Sequence, residues 1–258
     1  MRGVSRGVPA DFVQSLERGL AVIQSFDAEH PQLTLSEVAA RTGLTRATAR
    51  RLLLTLADLG YVSSNGRNFS LTPRVLDIGY AYLSSLNVQQ IAQPSLEALS
   101  ERVHESVSVT VLDGADIVYV ARVPTKRIMT ISLGLGSRLP AYCTSMGRVL
   151  LAELDADELR RALPAELERH TQHTICSAEE LGVVLKQVRA QGWALVDQEL
   201  EIGLRSVAAP LRDASGRAVA AMNISTQVAR TPVEQIHDDL IPDLVATAGR
   251  ISDALAKR

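Results

Sequence analysis

The first part of the chain alternates short helical patterns with signals that end a helix. Residues 13–26 predict an amphipathic helix, and Pro31 cannot continue it. Its apolar positions form one stripe: Val13, Leu16, Leu20, Ile23 and Phe26. Thr34 and Glu37 have the spacing of a capping box, which predicts a second, short helix that ends at Gly43.

A third helix is predicted from Thr45, a capping residue type, to about Leu59, where Gly60 ends it. Its apolar face has spacings of three and four residues: Ala49, Leu52, Leu53 and Leu56. Asn65 and Gly66 then separate two short strand patterns, which is a strong hairpin signal. Helix, short helix, tight turn, helix and hairpin in this order predict a winged helix-turn-helix.

The pattern after the hairpin changes twice. Residues 73–87 predict a helix too apolar to be solvated on all sides, so we expect it to contact a partner subunit or a second domain. Beyond it, hairpins mixed with helices predict an α+β domain with an antiparallel sheet. The predicted strands are Val107–Leu112, Ile117–Arg122, Ile128–Leu133, Trp193–Val196, Ser206–Leu211 and Val219–Thr226. The predicted helices are 89–103, 144–153, 155–163, 178–190 and 233–256.

These elements predict a fold with an N-terminal all-α winged helix-turn-helix domain and a larger C-terminal α+β domain with an antiparallel sheet. The predicted parts are a disordered tail at 1–11, the winged helix-turn-helix at 12–72, a linker helix at 73–87 and the second domain at 88–258.

The composition narrows the class of protein. Hydrophobic residues make up 46% of the chain and the net charge is −2, which is typical of globular domains. Cys143 and Cys176 lie far apart and the five histidines form no HExxH motif, so we expect no disulfide, metal or cofactor. No apolar run approaches the ~20 residues that span a bilayer. We therefore expect a cytoplasmic protein, associated with the nucleoid if it binds DNA, and no membrane partner.

Positive charge is concentrated in the helix-turn-helix pattern. Residues 1–80 carry nine basic and seven acidic side chains, whereas the remainder carries 18 basic and 22 acidic ones. Four arginines and no acidic residue lie between Val38 and Ala57. Because a DNA duplex is a polyanion, this predicts that the third helix enters a groove of double-stranded DNA. The predicted DNA-binding residues are Ser36, Thr45, Arg46, Ala47, Thr48, Arg50, Arg51, Arg67 and Asn68.

The residue types suit this role. Hydroxyl groups bind phosphate oxygens, arginines reach phosphates or a guanine edge, and Ala47 permits close approach to the bases. The alternative is that the arginines only solvate one face of a helical bundle. The capping box, the turn at Gly43 and the hairpin favour the DNA-binding interpretation.

Long motifs in both halves resemble the IclR family of bacterial regulators. They are FVQSLERGLAVIQSFD, LTLSEVAARTGLTRATARRLLLTLADLGYV, LPAYCTSMGRVLLA and DQELEIGLRSVAAPLRDASGRAVAAMNIS. The resemblance covers about residues 12–256. It implies a homodimer or a dimer of dimers that binds operator DNA and carries a GAF-like effector-binding domain. The QSLxRGL opening, residues 121–125 and RIMTISLGLGSRLPAY are similar to the subgroup that controls protocatechuate and 4-hydroxybenzoate breakdown.

The resemblance also implies a cup for a small carboxylate effector. The backbone N–H groups of Ser145 and Met146 would receive the carboxylate, because a helix N-terminus favours an anion. Further contact positions implied by the resemblance are Asp197, Ser206, Asn223 and Ser225. Tyr142 can stack on an aromatic acid and Arg138 can neutralise its charge. Asparagine at 223, where some relatives carry a small hydroxyl residue, leaves the identity of the effector open.

Three functions are therefore compared. A ligand-responsive transcriptional regulator of the IclR type fits all the motifs, and activation and repression both stay open. An enzyme acting on an organic acid is disfavoured, because the sequence has no GxSxG, P-loop, GxGxxG or metal-ligand motif. An architectural DNA-binding protein without a ligand is disfavoured by the large second domain.

Overall fold

The chain divides between Ser85 and Leu86 into two units, each built around its own cluster of buried apolar side chains. A computed structural model describes residues 11–80, 88–125 and 133–257 of the chain. The predicted tail at 1–11 therefore lies almost entirely outside the described residues.

The first unit has the predicted winged helix-turn-helix order. Its elements are α1 (Gln14–Gln24), β1 (Leu33–Thr34), α2 (Leu35–Thr42), α3 (Arg46–Asp58), β2 (Val62–Ser64) and β3 (Asn68–Leu71). Thr34 and Glu37 form the capping box at the start of α2, and Gly43 ends α2 with a left-handed φ of 67°. The turn between α2 and α3 is therefore set by local sequence.

This unit is not all-α, because it contains a three-stranded antiparallel sheet in the order β1-β3-β2. The hairpin of β2 and β3 was predicted, but β1 was not. Its two residues, Leu33 and Thr34, are extended because they pair with Phe69 and Asn68. That partner lies far along the chain, so no local pattern identifies β1.

The apolar stripe predicted for α1 is mostly exposed. Leu16 is 62% exposed and Leu20 44%, whereas Phe26 is buried and Ile23 is partly buried. Val22, outside the predicted stripe, is fully buried. Only the C-terminal part of the stripe packs on the core of this unit.

The predicted linker helix does not begin as an α-helix. Pro73–Val75 is a 3₁₀ turn, which Thr72 caps, and helical backbone follows at 76–80. The rest of the predicted helix, 81–87, lies outside the described residues.

The second unit is a six-stranded antiparallel sheet with helices. The strands are β4 (Ser106–Asp113), β5 (Asp116–Val123), β6 (Arg138–Pro140), β7 (Ala194–Asp197), β8 (Leu204–Arg212) and β9 (Ala218–Gln227), in the order β6-β5-β4-β9-β8-β7. The helices are α4 (Val88–Val103), α5 (Ser145–Glu153), α6 (Ala156–Ala162), α7 (Ala178–Gln191) and α8 (Ile241–Ala256). A helical turn (Val233–Gln235) and a π-helical stretch (Ile236–Leu240) lead into α8.

Helices α4 and α8 pack together and against the sheet, while α5 packs against β7, β8 and β9 and against α7. The predicted turns at Gly114 and Gly216 have φ values of 62° and 82°, which glycine adopts without strain. The strand predicted at Ile128–Leu133 falls almost wholly outside the described residues, and β6 was not predicted.

Within the described ranges, no helix combines the length and the apolar character needed to cross a bilayer.

Candidate nucleic-acid interface and ligand cavity

The exposed face of α3 carries three cationic side chains. Ala49, Leu53 and Leu56 turn inward and are buried, and this leaves Arg46, Arg50 and Arg51 exposed on the outer surface. None of these three arginines forms an ion pair or a side-chain hydrogen bond within the described ranges. Their guanidinium groups are thus free to bind an anionic partner.

The fourth arginine of the motif has a different environment. Arg41, at the end of α2, forms an ion pair with Asp27, which also accepts a hydrogen bond from the His30 side chain. The hydrogen bond from His30 and, to a smaller extent, the charge of Arg41 lower the pKa of Asp27. Arg41 therefore stabilises the turn after α1 and is a less available cation than those on α3.

The hydroxyl groups of Thr45 and Thr48, at the start of α3, already take part in hydrogen bonds that cap the helix. The Thr45 hydroxyl accepts a hydrogen bond from the backbone N–H of Thr48 at 3.3 Å, and the two hydroxyl groups lie 2.9 Å apart. Ser36, in the first turn of α2, and Ala47, in the first turn of α3, are exposed. The small side chain of Ala47 leaves the α3 backbone accessible.

The tip of the wing is organised by Asn65. Its side-chain oxygen accepts hydrogen bonds from the backbone N–H groups of Arg67 at 3.3 Å and Asn68 at 2.9 Å. The Arg67 side chain is exposed, and Asn68 is half-buried at the start of β3. Seven of the nine residues predicted to bind DNA are therefore exposed, and the other two, Thr48 and Asn68, are half-buried.

A cavity that is partly open to solvent lies between the sheet of the second unit and the start of α5. Its lining combines two walls and a floor: the start of α5, the segment after β7, and strands of the sheet. The lining residues are Tyr119, Leu133, Leu139, Cys143, Thr144, Ser145, Met146, Val196, Glu199, Leu200, Glu201, Leu204, Ser206, Asn223 and Ser225. An apolar cavity with a few polar groups is typical of a small-molecule site.

The start of α5 supplies unpaired backbone donors to this cavity. Thr144 caps the helix by accepting a hydrogen bond from Gly147 N–H at 3.3 Å. The N–H groups of Ser145 and Met146 have no acceptor within the described ranges, although both residues are buried. Unpaired buried N–H groups are rare in folded proteins, and at a helix N-terminus they favour an anion.

Gly147 is required for this geometry. A Cβ atom at this position would lie 2.1 Å from the carbonyl oxygen of Ala141. The first turn of α5 therefore packs directly against the backbone of the preceding turn, which only glycine permits.

Polar side chains of the sheet complete the cavity. The Ser206 and Ser145 hydroxyls are 2.9 Å apart, and the Asn223 side-chain amide donates a hydrogen bond to the Ser225 hydroxyl at 2.9 Å. The Asn223 oxygen is buried and has no partner. Burial raises the pKa of Tyr119 to about 12, so its hydroxyl stays protonated and can donate to a ligand.

One wall of the cavity contains acidic side chains. Glu199 is buried and forms an ion pair with Arg148 at 2.6 Å, so its charge is compensated. Glu201 also lines the cavity and is half-buried.

Two residues predicted to bind the effector do not line the cavity. The Tyr142 hydroxyl donates to the Glu168 carbonyl oxygen at 2.6 Å, and its ring stacks on His170. Asp197 follows the lining residue Val196 on β7, and its side chain forms an ion pair with Arg205 at 2.8 Å. Successive strand residues face opposite sides of a sheet, so Asp197 lies on the far face.

Arg138, considered as a neutralising cation, does not line the cavity either. Its guanidinium group forms ion pairs with Asp113 at 2.7 Å and Asp116 at 3.1 Å at the edge of the sheet. Both carboxylates raise the pKa of Arg138, and the hydrogen bond that Arg138 donates to Asp113 has the largest effect. Its charge is therefore compensated by acidic residues of the same unit.

The structure adds lining residues that the sequence did not suggest. The most informative are Tyr119, Glu199, Leu200, Glu201 and Leu204. Tyr119 lies on a predicted strand, so alternation could have placed it on one face of the sheet, but not on the face with the cavity. The segment 199–204 is brought to the cavity by tertiary packing and has no local signal.

Cys143 lines the cavity with a thiol that stays protonated at neutral pH. Burial raises the pKa of its thiol to about 12, with a further contribution from the charge of Glu199. Within the described ranges, no group of three or more histidine, cysteine or acidic residues is arranged to hold a metal ion.

Two family models match the chain. Residues 15–66 match the IclR helix-turn-helix domain, and residues 80–253 match the C-terminal domain of the bacterial transcriptional regulator IclR. The two matches correspond closely to the two units of the structure.

Relatives and solved structures cover most of the chain. A Pca regulon regulatory protein of Pseudomonas putida is 48% identical over 240 residues, 92% of this chain and 82% of the relative. A p-hydroxybenzoate hydroxylase transcriptional activator of Acinetobacter baylyi is 35% identical over 247 residues, 93% of this chain and 91% of the relative. The crystal structure of a putative transcriptional regulator from Rhodococcus sp. RHA1 is 59% identical, with a TM-score of 0.85, and covers 95% of this chain and 99% of that one.

A further solved structure contains a ligand. The inducer-binding domain of a double mutant of the Acinetobacter transcription factor PobR, in complex with 3-hydroxybenzoic acid, is 31% identical with a TM-score of 0.60. It covers 64% of this chain and 97% of that one.

Proposed function

Since the chain belongs to the IclR family of bacterial transcriptional regulators, we propose that its first unit binds operator DNA and that its second unit senses a small carboxylate. The observation that carries the first half is the exposed, unpaired arginine face of α3. The observation that carries the second half is the cavity with unpaired N–H groups at the start of α5.

In this proposal α3 is the recognition helix. Arg46, Arg50 and Arg51 contact phosphates or guanine edges, and Ala47 lets the helix approach the bases. Ser36, Thr45 and Thr48 donate to phosphate oxygens at the starts of α2 and α3. Arg67 and Asn68, at the tip of the wing, contact the flanking DNA backbone or the minor groove in this proposal.

The test selects an operator from random duplexes with the full-length chain and measures its affinity at several salt concentrations. Arg46→Ala and Arg51→Ala should each weaken binding and reduce the slope of log K against log salt by about one. Arg41→Ala is the matched control, because Arg41 is already paired with Asp27. Unchanged affinity in both α3 variants would contradict this assignment of the recognition helix.

The effector is proposed to be an acid of aromatic-compound breakdown. The names of the relatives support this, since one is a Pca regulon regulatory protein and another is a p-hydroxybenzoate hydroxylase transcriptional activator. The 3-hydroxybenzoic acid bound to the PobR domain is also an aromatic carboxylic acid, which supports the same proposal. In the cavity, the N–H groups of Ser145 and Met146 bind the carboxylate, while Ser206, Asn223 and Ser225 contact the rest of the ligand.

A thermal-shift screen and calorimetry with the full-length chain test the sensor. Protocatechuate, p-hydroxybenzoate and β-ketoadipate are the probes, and p-hydroxybenzamide is the control that lacks a carboxylate. A ligand that binds the folded protein raises its melting temperature. If none of the three acids binds and operator binding is intact, the result favours an architectural protein. Conversion of an acid to product would indicate an enzyme.

We also propose that the regulator is a homodimer or a dimer of dimers on a palindromic operator. The support is an exposed apolar surface on α1 and the two residues before it, where Phe12, Val13, Leu16 and Leu20 are 44–62% exposed. Light scattering should show a dimer or tetramer for the wild type and a smaller species for Leu16→Glu. Val183→Glu is the control, since this residue is equally exposed but lies on α7. A monomeric wild-type chain would contradict the proposal.

A further inference from the structure

A buried ion pair lies behind the ligand cavity and joins its two walls. Arg148, in the second turn of α5, and Glu199, in the segment after β7, have side chains only 3% and 8% exposed. Their charged groups are 2.6 Å apart. Glu199 lines the cavity, whereas Arg148 does not.

The pair contacts two further stretches of chain. Arg148 Nε donates to the carbonyl oxygen of Tyr142 at 2.9 Å, which fixes the turn before α5. The Glu199 carboxylate also accepts the backbone N–H of Ile175 at 3.1 Å. The Thr174 hydroxyl donates to the Glu199 carbonyl oxygen at 2.7 Å, so the same stretch contacts both ends of the residue.

The segment held in this way forms a wall of the cavity. Glu199, Leu200, Glu201 and Leu204 line the same cavity as Ser145 and Met146, whose N–H groups are unpaired. Backbone hydrogen bonds close this segment on itself, from Gln198 N–H to the Leu204 carbonyl oxygen at 2.8 Å and from Leu204 N–H to the Glu201 carbonyl oxygen at 3.2 Å. The ion pair joins this closed loop directly to α5.

We propose that Arg148 and Glu199 are positioning residues for the effector: they hold the wall 199–204 at a fixed distance from the carboxylate-binding turn of α5. This inference rests on the sensor function proposed above. A supporting shell of this kind determines whether the groups that touch a ligand have the geometry needed to bind it.

Charge compensation is the second part of the role. An uncompensated carboxylate at position 199 would repel an anionic ligand in the same cavity, and Arg148 prevents this. Stability alone does not explain the pair, because two apolar residues of similar volume are often as stable as a buried ion pair. The pair supplies fixed geometry and compensates the charge of Glu199.

The experiment compares three variants of the full-length chain. They are Arg148→Met, Glu199→Gln, and a double variant that carries both Arg148→Met and Glu199→Leu. The single variants leave one buried charge unpaired, whereas the double variant removes both and protects the fold. Glu153→Gln is the matched control. Glu153 pairs with Arg212 through two hydrogen bonds at the other end of α5, outside the cavity lining.

Three quantities are measured for each variant. They are the melting temperature, the amide hydrogen exchange of residues 198–204 without ligand, and the affinity for the acid among protocatechuate, p-hydroxybenzoate and β-ketoadipate that binds the wild type. In all three cavity variants, exchange of this segment should rise and acid affinity should fall, each by about tenfold or more. The double variant should melt above the single variants but keep both defects. Glu153→Gln should change neither exchange nor affinity.

Two results would overturn the proposal. One is a double variant with wild-type exchange at 198–204 and wild-type affinity. The other is single variants whose melting temperature falls while exchange and affinity change no more than in Glu153→Gln. If no acid binds the wild type, the proposed sensor function is contradicted, and the exchange measurement still decides whether the pair holds the wall.

Discussion

Position 147 shows how a single residue shapes the cavity. Its Cβ would overlap the carbonyl oxygen of Ala141, so Gly147→Ala should force α5 away from the preceding turn. We expect a loss of about 1–3 kcal/mol in the free energy of unfolding, measured with urea, and weaker acid binding. Gly182→Ala is the control, because nothing lies within 4 Å of its Cβ and α7 should gain about 0.5–1 kcal/mol. Equal effects of the two substitutions would contradict this account.

Asn223 lowers the stability of the ligand-free protein, because it buries a polar atom without a partner. Its side-chain oxygen is buried without a partner, which typically costs about 1–3 kcal/mol. Asn223→Leu, of similar shape, should therefore leave the stability of the ligand-free protein unchanged or raise it, and should weaken acid binding in calorimetry. If the variant instead loses stability and binds acids as the wild type does, the oxygen is not a ligand contact.

The limits of residue-level prediction are visible on β7. Strand alternation indicates that Val196 and Asp197 face opposite sides, but only the tertiary fold decides which side carries the cavity. The resemblance selected Asp197, and the structure pairs it with Arg205 on the far face. The resemblance also selected Ser145 and Met146; both line the cavity, and their binding of an effector stays a prediction.

Among the elements, α2 depends most clearly on its cap. Thr34→Ala removes the acceptor for the Glu37 N–H and the partner of the Glu37 carboxylate. We expect a loss of about 1 kcal/mol in the unfolding free energy of the first unit, measured with urea, and weaker operator binding. Thr55→Ala on the exposed face of α3 is the control and should change stability by about 0.5 kcal/mol or less. A cap variant as stable as this control would show that α2 is held by tertiary packing alone.

Element prediction succeeded where the information is local. Helices α2 and α3 have capping residues, a glycine end and an apolar face, and the β4–β5 and β8–β9 hairpins have glycine turns. Strands β1 and β6 have two and three residues and exist because they pair with distant strands. The apolar stripe of α1 was recognised, but its exposure was not, because periodicity does not say what covers a helix face.

At the scale of the whole molecule, the two units have separate cores and opposite net charge. We expect two calorimetric transitions on heating, because independent cores unfold as separate cooperative units. An acid at 100 times its dissociation constant should stabilise only the second unit, by about 2.7 kcal/mol. A single transition whose midpoint temperature rises when the acid is added would show that the two cores unfold together.

The unpaired N–H groups at the start of α5 belong to the backbone, and this matters for engineering the protein as a biosensor. Side-chain libraries at Leu200 or Leu204 reshape the space beside those donors, whereas the donors themselves persist through almost any substitution. Directed evolution of this cavity should therefore alter which acid is detected and retain the requirement for an acid.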